Sequence, residues 1–179
     1  EIGLESTILR VTEAGEPILL RPGITSRAEI EALLKTRVLD PGTADSEGTP
    51  QIAPGRLASH YAPKKHLSLL PGPVSQLMTP PALSGTGRPT KVGLLVVSGD
   101  PAKAAETFSE ILELPVVVES LSESGDWEEA ARTLFRKIRS LDASEAEILY
   151  SESISAQAIE SSGIAFAIAD RLKRAAGPR

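Results

Sequence analysis

The chain of 179 residues contains no cysteine, which excludes disulfide bonds and metal sites with cysteine ligands. Histidine is nearly as rare, since His60 and His66 are the only two and too few for a histidine-rich metal centre. Aromatic residues make up 3% of the chain, so the core must be built from leucine, isoleucine, valine and alanine. No nucleophile–base pair is recognisable, and we assign no catalytic residue and no resident metal ion.

The chain also lacks positive charge and long apolar runs. A net charge of −5 argues against a broad nucleic-acid-binding surface, although a single arginine could still bind a small anion. No apolar run approaches the roughly 20 residues that span a bilayer, and no signal peptide is visible. We therefore expect a cytoplasmic protein that binds neither a membrane nor, in a stable and direct way, nucleic acid.

The chain begins with Glu1 rather than methionine, and two apolar, β-prone runs follow at residues 1–10 and 18–23. The turn-rich segment 13–17 between them predicts a β-hairpin. A lone two-stranded hairpin is at best marginally stable in water, because its apolar face has no partner. We therefore expect a sheet upstream, which would make this chain the back half of a larger enzyme.

Beyond the hairpin, residues 24–40 predict a short helix capped by Thr25 or Ser26, with Glu29 completing a capping box. Residues 41–66 are rich in proline and glycine and predict a linker. The remainder alternates predicted strands with predicted helices, which indicates an α/β fold with a parallel sheet in a three-layer sandwich. The predicted strands are 67–70, 92–97, 116–118 and 147–150, and the predicted helices are 101–112, 127–141 and 163–176.

Candidate binding residues lie first in the hairpin. Arg21 precedes Pro22-Gly23, and its planar guanidinium could pair bidentately with a phosphate or carboxylate. The alternative is a surface arginine at a strand end. Ser6 and Thr7 would point to opposite faces of a strand, so at most one would face a pocket; ordinary strand hydroxyls are the alternative.

The linker adds a second candidate, the pair His60-Tyr61 in a segment pinned by Pro63. An extended loop there could lie across a neighbouring active site as a lid, with Tyr61 stacking on a ligand or donating a hydrogen bond to it. The alternative is a tyrosine that covers an apolar seam between domains.

The α/β part offers weaker candidates. Gly99-Asp100 follows a strand and opens a helix, where open α/β sheets bind phosphate, but no glycine-rich fingerprint is present. Helix capping is the favoured role of Asp100. Ser151-Glu-Ser153 ends another strand, and its hydroxyls are expected to bond the loop. Asp170 and Arg174, at i,i+4 spacing, are expected on a solvated helix face.

A series of short motifs runs along the chain in a fixed order. They are Gly3-Leu-Glu-Ser-Thr-Ile8, Leu20-Arg-Pro-Gly-Ile-Thr25, Pro54-Gly55, His60-Tyr-Ala-Pro-Lys64, Asp126-Trp-Glu-Glu-Ala-Ala-Arg-Thr-Leu-Phe135, Leu141-Asp142 and Ala167-Ile-Ala-Asp-Arg-Leu-Lys-Arg-Ala-Ala176. In this order they resemble the two-domain threonylcarbamoyl-AMP synthases. The resemblance implies the end of a YrdC-like α+β catalytic domain at 1–40, an interdomain linker at 41–66 and a Rossmann-like C-terminal domain at 67–179.

The resemblance also implies a function. Family members combine L-threonine, bicarbonate and ATP, with Mg²⁺ on the phosphates, into threonylcarbamoyl-adenylate, pyrophosphate and water. The product supplies the machinery that modifies adenosine 37 of tRNA. By the same resemblance Ser6 and Thr7 would bind L-threonine, Arg21 and Tyr61 would bind ATP, and His60 would belong to the linker lid.

The family's basic nucleotide-binding residues and its Ser-x-Asn segment have no counterpart here. We therefore expect this polypeptide alone to be inactive. The alternative function is a stand-alone Rossmann-like module that binds a nucleotide or a partner without catalysis.

Overall fold

The computed structural model describes residues 3–40, 62–83 and 87–177, in which a hairpin and a helix precede an α/β sandwich. The elements in chain order are β1 (Ile8–Val11), β2 (Pro17–Arg21), α1 (Arg27–Leu34), β3 (Leu67–Leu69), a 3₁₀ turn (Val74–Gln76), β4 (Val92–Ser98), α2 (Pro101–Leu112), β5 (Val116–Ser122), α3 (Trp127–Ala143), β6 (Ile148–Ser151), α4 (Ala156–Ser161) and α5 (Gly163–Ala175).

The hairpin and the first helix form in the predicted parts of the chain, although β1 begins only at Ile8, later than the predicted run at residues 1–10. Strands β1 and β2 pair antiparallel, and Gly15 in the turn adopts a φ of 84°, which favours glycine. Helix α1 begins with a capping box, because Ser26 Oγ accepts from Glu29 N at 3.2 Å and Glu29 Oε2 accepts from Ser26 N at 2.7 Å.

The four strands of the larger sheet are all parallel and lie in the order β3–β6–β4–β5. Helix α2 packs on one face, and α3 and α5 pack on the other, so the molecule has the predicted three layers. Strand β4 leads to β5 on one side, and the chain then crosses back over β4 to form β6. The chain therefore reverses direction across the sheet between β4 and β6.

Strand β4 lies at the centre of the core. Its side chains alternate between the two faces, so Leu94 and Val96 pack with Phe108 of α2 while Leu95 packs with Leu134 of α3. Val92 to Val97 are all buried, which is why this strand reads as a continuous apolar run in the sequence.

Within the α/β sandwich, the largest differences from prediction are in strand β5 and helix α4. Strand β5 extends to Ser122 rather than ending at residue 118, because its polar residue Glu119 accepts hydrogen bonds from Lys137 Nζ and Ser140 Oγ, both at 2.6 Å. Helix α4 was not predicted, since its six residues are too few to show helical periodicity. Within the described residues no helix has both the length and the apolar character needed to cross a bilayer.

Candidate functional site

The open end of the hairpin places Ser6, Thr7 and Arg21 close together. Strand β1 begins only at Ile8, opposite Arg21, so the prediction that Ser6 and Thr7 are strand residues on opposite faces is wrong. The segment instead wraps closely around Gly23. A Cβ at Gly23 would lie 2.4 Å from Thr7 N, so this contact of backbone on backbone needs a glycine.

Arg21 and Ser6 contact each other directly. Arg21 Nε donates to the Ser6 carbonyl at 3.1 Å, and Arg21 Nη2 lies 3.4 Å from Ser6 Oγ. Thr7 Oγ1 donates to the carbonyl of Thr25 at 3.1 Å. Ser6 is exposed while Thr7 and Arg21 are half-buried. The structure therefore brings a guanidinium beside a hydroxyl group at the surface, an arrangement that can bind an anionic, hydroxyl-bearing ligand.

An acidic residue next to this cluster, Glu5, forms an ion pair with a buried arginine. Glu5 Oε2 accepts from Arg171 Nη2 at 2.8 Å. Partial burial raises the pKa of the Glu5 carboxyl, but the hydrogen bond and charge of Arg171, with the charge of Arg21, outweigh it and hold the pKa below its ordinary value. Glu5 thus stays ionised, and its charge is compensated by Arg171.

His60 and Tyr61 lie outside the described residues, so the lid stays a prediction. The described end of the linker begins at residue 62 and contacts the α/β sandwich within a few residues. Pro63 is buried, and Lys65 N donates to Asp142 Oδ1 at the end of α3 at 2.9 Å. The linker therefore joins the α/β sandwich only a few residues beyond the predicted lid.

The prediction that Asp170 and Arg174 lie on a solvated helix face is wrong, because their side chains are only 18% and 23% exposed. The sequence analysis also missed Arg171 on the same helix. The side chain of Arg171 is 1% exposed. The signal was available, because Ile168, Leu172 and Ala175 show that this face of α5 is apolar and buried, and Arg171 lies on it.

A second candidate site is a cavity of about 240 Å³ at the carboxyl ends of β4 and β6. It lies where the chain reverses direction across the sheet, the usual ligand position in open α/β folds. Its lining includes Asp100, Lys103, Thr107 and Glu152. Asp100 caps its own helix by accepting from Ala102 N at 2.9 Å, as predicted.

Glu152 supplies the buried polar group of this cavity. Its two carboxylate oxygens accept from Val74 N at 2.8 Å and Val97 N at 2.9 Å, which ties the 3₁₀ turn to β4. Burial raises the pKa of the Glu152 carboxyl, and these two hydrogen bonds only partly oppose the shift. The two acidic side chains in the lining, Asp100 and Glu152, outnumber the one cation, Lys103, which makes the cavity unfavourable for a phosphate. This weighs against nucleotide binding by the α/β part alone.

The buried Glu152 predicts a pH dependence of stability. Its folded pKa lies above the ordinary 4.5, so its contribution is fully present below 4.5 and is lost as the pH rises through the folded pKa. We expect the free energy of unfolding of the wild type, minus that of Glu152→Gln, to fall as the pH rises. Urea unfolding of both proteins at several pH values between about 4 and about 8 would measure this difference in free energy.

Glu147→Gln is the matched control. Hydrogen bonds from Thr90 Oγ1 and Thr90 N hold the pKa of Glu147 below its ordinary value. Its stabilising contribution is therefore present above that value and is lost as the pH falls, which is the opposite slope. Equal slopes for the two variants would contradict the role given to Glu152.

The described residues include no group of three or more histidine, aspartate or glutamate side chains that could hold a metal ion.

Comparison with known proteins gives independent evidence on the family of this chain. The family described as threonylcarbamoyl-AMP synthase, C-terminal domain, matches residues 25–177. The threonylcarbamoyl-AMP synthase of Bacillus subtilis is 30% identical over 179 residues, covering 99% of this chain and 46% of that protein. The chain thus spans about half the length of this curated relative.

Solved structures show the same fold. The structure of Pyrococcus abyssi Sua5 with L-threonine matches 98% of this chain and 46% of that chain, with 24% identity and a TM-score of 0.61. A variant of that protein, in which an adjacent histidine and tyrosine are replaced by alanine, matches with 24% identity and a TM-score of 0.56. At this level of identity the match shows the fold alone.

Proposed function

The chain belongs to the threonylcarbamoyl-AMP synthase family and matches its C-terminal part, and on this premise we propose that it serves L-threonylcarbamoyladenylate synthesis. The reaction joins L-threonine, bicarbonate and ATP into threonylcarbamoyl-adenylate, with release of pyrophosphate and water. In this scheme the carbamate of threonine attacks the α-phosphorus, an O–P bond forms and pyrophosphate leaves. The adenylate then passes to the machinery that transfers the threonylcarbamoyl group to tRNA position 37.

The observation that carries this proposal is the contact between Arg21 and Ser6 at the open end of the hairpin. Ser6 and Thr7 contribute to binding L-threonine, and Arg21 contacts the nucleotide. Because Arg21 and Ser6 touch, the amino acid and the phosphates would meet at one place. Holding both reactants in this way makes an otherwise bimolecular step effectively intramolecular. The P. abyssi protein solved with L-threonine supports threonine as the amino-acid ligand.

The lid would come from the linker. This chain contains one His-Tyr pair, His60-Tyr61, and an adjacent histidine and tyrosine are the residues replaced in the P. abyssi variant. Tyr61 closes over ATP, and His60 belongs to the same segment. Closure excludes water and strengthens the interaction of Arg21 with the phosphates.

Mg²⁺ shields the nucleotide phosphates in this proposal. The phosphates of the nucleotide would supply ligands to the ion, as is usual for Mg²⁺ in nucleotide sites. The net charge of −5 fits a protein that hands its product on without holding tRNA itself.

Replacement of Arg21 tests the proposal. The protein would be extended ahead of residue 1 by the segment that its curated relatives have there, and this form is called the extended polypeptide below. In it, Arg21→Ala removes a charge-assisted contact to phosphate, and we expect ATP affinity to fall about tenfold to a hundredfold. Isothermal titration calorimetry measures the change, and Tyr61→Ala is expected to weaken binding as well.

Arg139→Ala is the control, because it removes the same charge from an exposed position on α3. It is expected to leave ATP affinity unchanged. Binding of ATP that ignores both Arg21 and Tyr61 would refute the proposal. It would favour the alternative, a nucleotide-binding module within the α/β sandwich.

A further inference from the structure

The guanidinium of Arg171 on α5 connects the α/β sandwich to the two chain segments at the open end of the hairpin, one before β1 and one after β2. Nη2 bonds the carboxylate of Glu5 at 2.8 Å, and Nη1 donates to the carbonyl of Pro22, also at 2.8 Å. Nη1 further contacts Asp170 Oδ2 at 3.1 Å. One buried side chain therefore holds the residue before Ser6 and the residue after Arg21.

Two glycines near this contact, Gly3 and Gly163, allow the backbone of the N-terminal part and the helices α3 and α5 to approach each other closely. A Cβ at Gly163, the first residue of α5, would lie 2.7 Å from the carbonyl oxygen of Ile24 and 2.8 Å from Ser26 N. A Cβ at Gly3 would lie 2.8 Å from the Ala131 carbonyl of α3. Helices α3 and α5 thus approach the backbone on either side of the hairpin to a distance that only glycine permits.

Apolar contacts complete the interface. Leu4 packs into the core cluster of the α/β sandwich, and Phe166 of α5 packs against Leu19, Ile30 and Val38 of the N-terminal part. The segments that carry Ser6, Thr7 and Arg21 are consequently anchored on both flanks by α3 and α5. Their conformation depends on the α/β sandwich and not on the hairpin alone.

We propose that Arg171 is a positioning residue, which fixes Glu5 and Pro22 and thereby the adjoining substrate-binding residues Ser6, Thr7 and Arg21. The assignment of those three residues rests on the function proposed above; the anchoring does not. The role gives the C-terminal domain a defined part in substrate binding, because it sets the geometry of the open end of the hairpin.

The chemistry of Arg171 favours positioning over stability. Burial of a charged pair is costly, and hydrophobic residues of similar volume often stabilise a protein as well or better. Among the described residues, Arg171 Nε has no hydrogen-bond acceptor, which adds to that cost. What a guanidinium provides and an apolar side chain does not is a planar fork that bonds a carboxylate and a carbonyl in one fixed geometry.

The first test uses this chain itself and needs no activity. Amide hydrogen exchange is compared between the wild type, Arg171→Met, Arg171→Lys and Lys173→Met, an exposed control on the same helix. We expect exchange in residues 4–9 and 19–24 of Arg171→Met to be at least about tenfold faster, with β4 and β5 unchanged. Arg171→Lys keeps the charge without the fork and should be intermediate, and Lys173→Met should match the wild type.

If Arg171→Met does not fold, because the Glu5 carboxylate loses its partner, the double variant Glu5→Met/Arg171→Met takes its place. No charge of the pair remains in it, so the sandwich is expected to fold, yet the Pro22 carbonyl still lacks its donor. Fast exchange confined to the hairpin supports the proposal. Exchange that is unchanged, or accelerated equally in β4, overturns it.

The second test uses steady-state kinetics of the extended polypeptide. A positioning role predicts that Arg171→Lys raises KM for L-threonine about tenfold and changes kcat little. A purely structural role would lower the active fraction, which reduces apparent kcat and leaves KM unchanged, and this result overturns the proposal. Failure of the wild type to form any adenylate would refute the proposed function alone, and the exchange data would still decide the role of Arg171.

Discussion

No threonylcarbamoyl-adenylate is expected from this chain alone when it is supplied with L-threonine, bicarbonate, ATP and Mg²⁺. The chain spans 46% of the B. subtilis relative. In the proposed function Ser6, Thr7 and Arg21 would supply two hydroxyls and one guanidinium, all on one side of the reactants. Positioning three reactants requires contacts from several sides. We expect the rate to lie at least about a thousandfold below that of the extended polypeptide.

The rate of adenylate formation by the two proteins is measured side by side, from pyrophosphate release and from chromatographic detection of the adenylate. The extended polypeptide is the positive control, and ATP binding by calorimetry shows whether a loss arises at the binding step. Adenylate formation by the short chain would mean that the active site is complete within these residues. The expectation of an inactive chain would then be wrong.

The sandwich was largely predictable, because its elements are specified locally. Asp100 followed by Pro101 marks the start of α2, since a capping carboxylate and a proline in the first turn both favour a helix N-terminus. Val92 to Val97 mark a strand buried on both faces. Such signals depend on neighbours in sequence, so one sequence suffices to read them.

The candidate site was predictable only in part. Arg21 and Ser6 could be singled out from the sequence, but their contact spans 15 positions and depends on Gly23. The burial of Arg171 could be predicted from the apolar face of α5, but its role could not, because its partner Glu5 lies 166 positions away. Contacts of this kind are set by how α5 packs against the hairpin, and no local periodicity encodes them.

The contacts of Arg171 favour one role of the C-terminal domain in the proposed function over the alternative, an independent nucleotide site. The alternative of an independent nucleotide site loses support from the acidic cavity around Glu152. Arg171, in contrast, leads from α5 directly to the hairpin. In the role proposed above, the sandwich orients the open end of the hairpin, where Ser6, Thr7 and Arg21 lie, and needs no ligand of its own.

The orienting role proposed above requires a rigid sandwich, and truncation of Leu134 in its core is expected to destabilise it strongly. Leu134 is 0% exposed on α3, among Leu95, Leu149 and Ile168. Leu134→Ala leaves a cavity in this layer, and we expect the free energy of unfolding to fall by about 2–5 kcal/mol. Leu33→Ala, at a position 82% exposed, should change it by less than about 0.5 kcal/mol. Urea unfolding followed by fluorescence of Trp127, the only tryptophan, measures both, and similar losses in the two variants would show that this helix face does not carry the core.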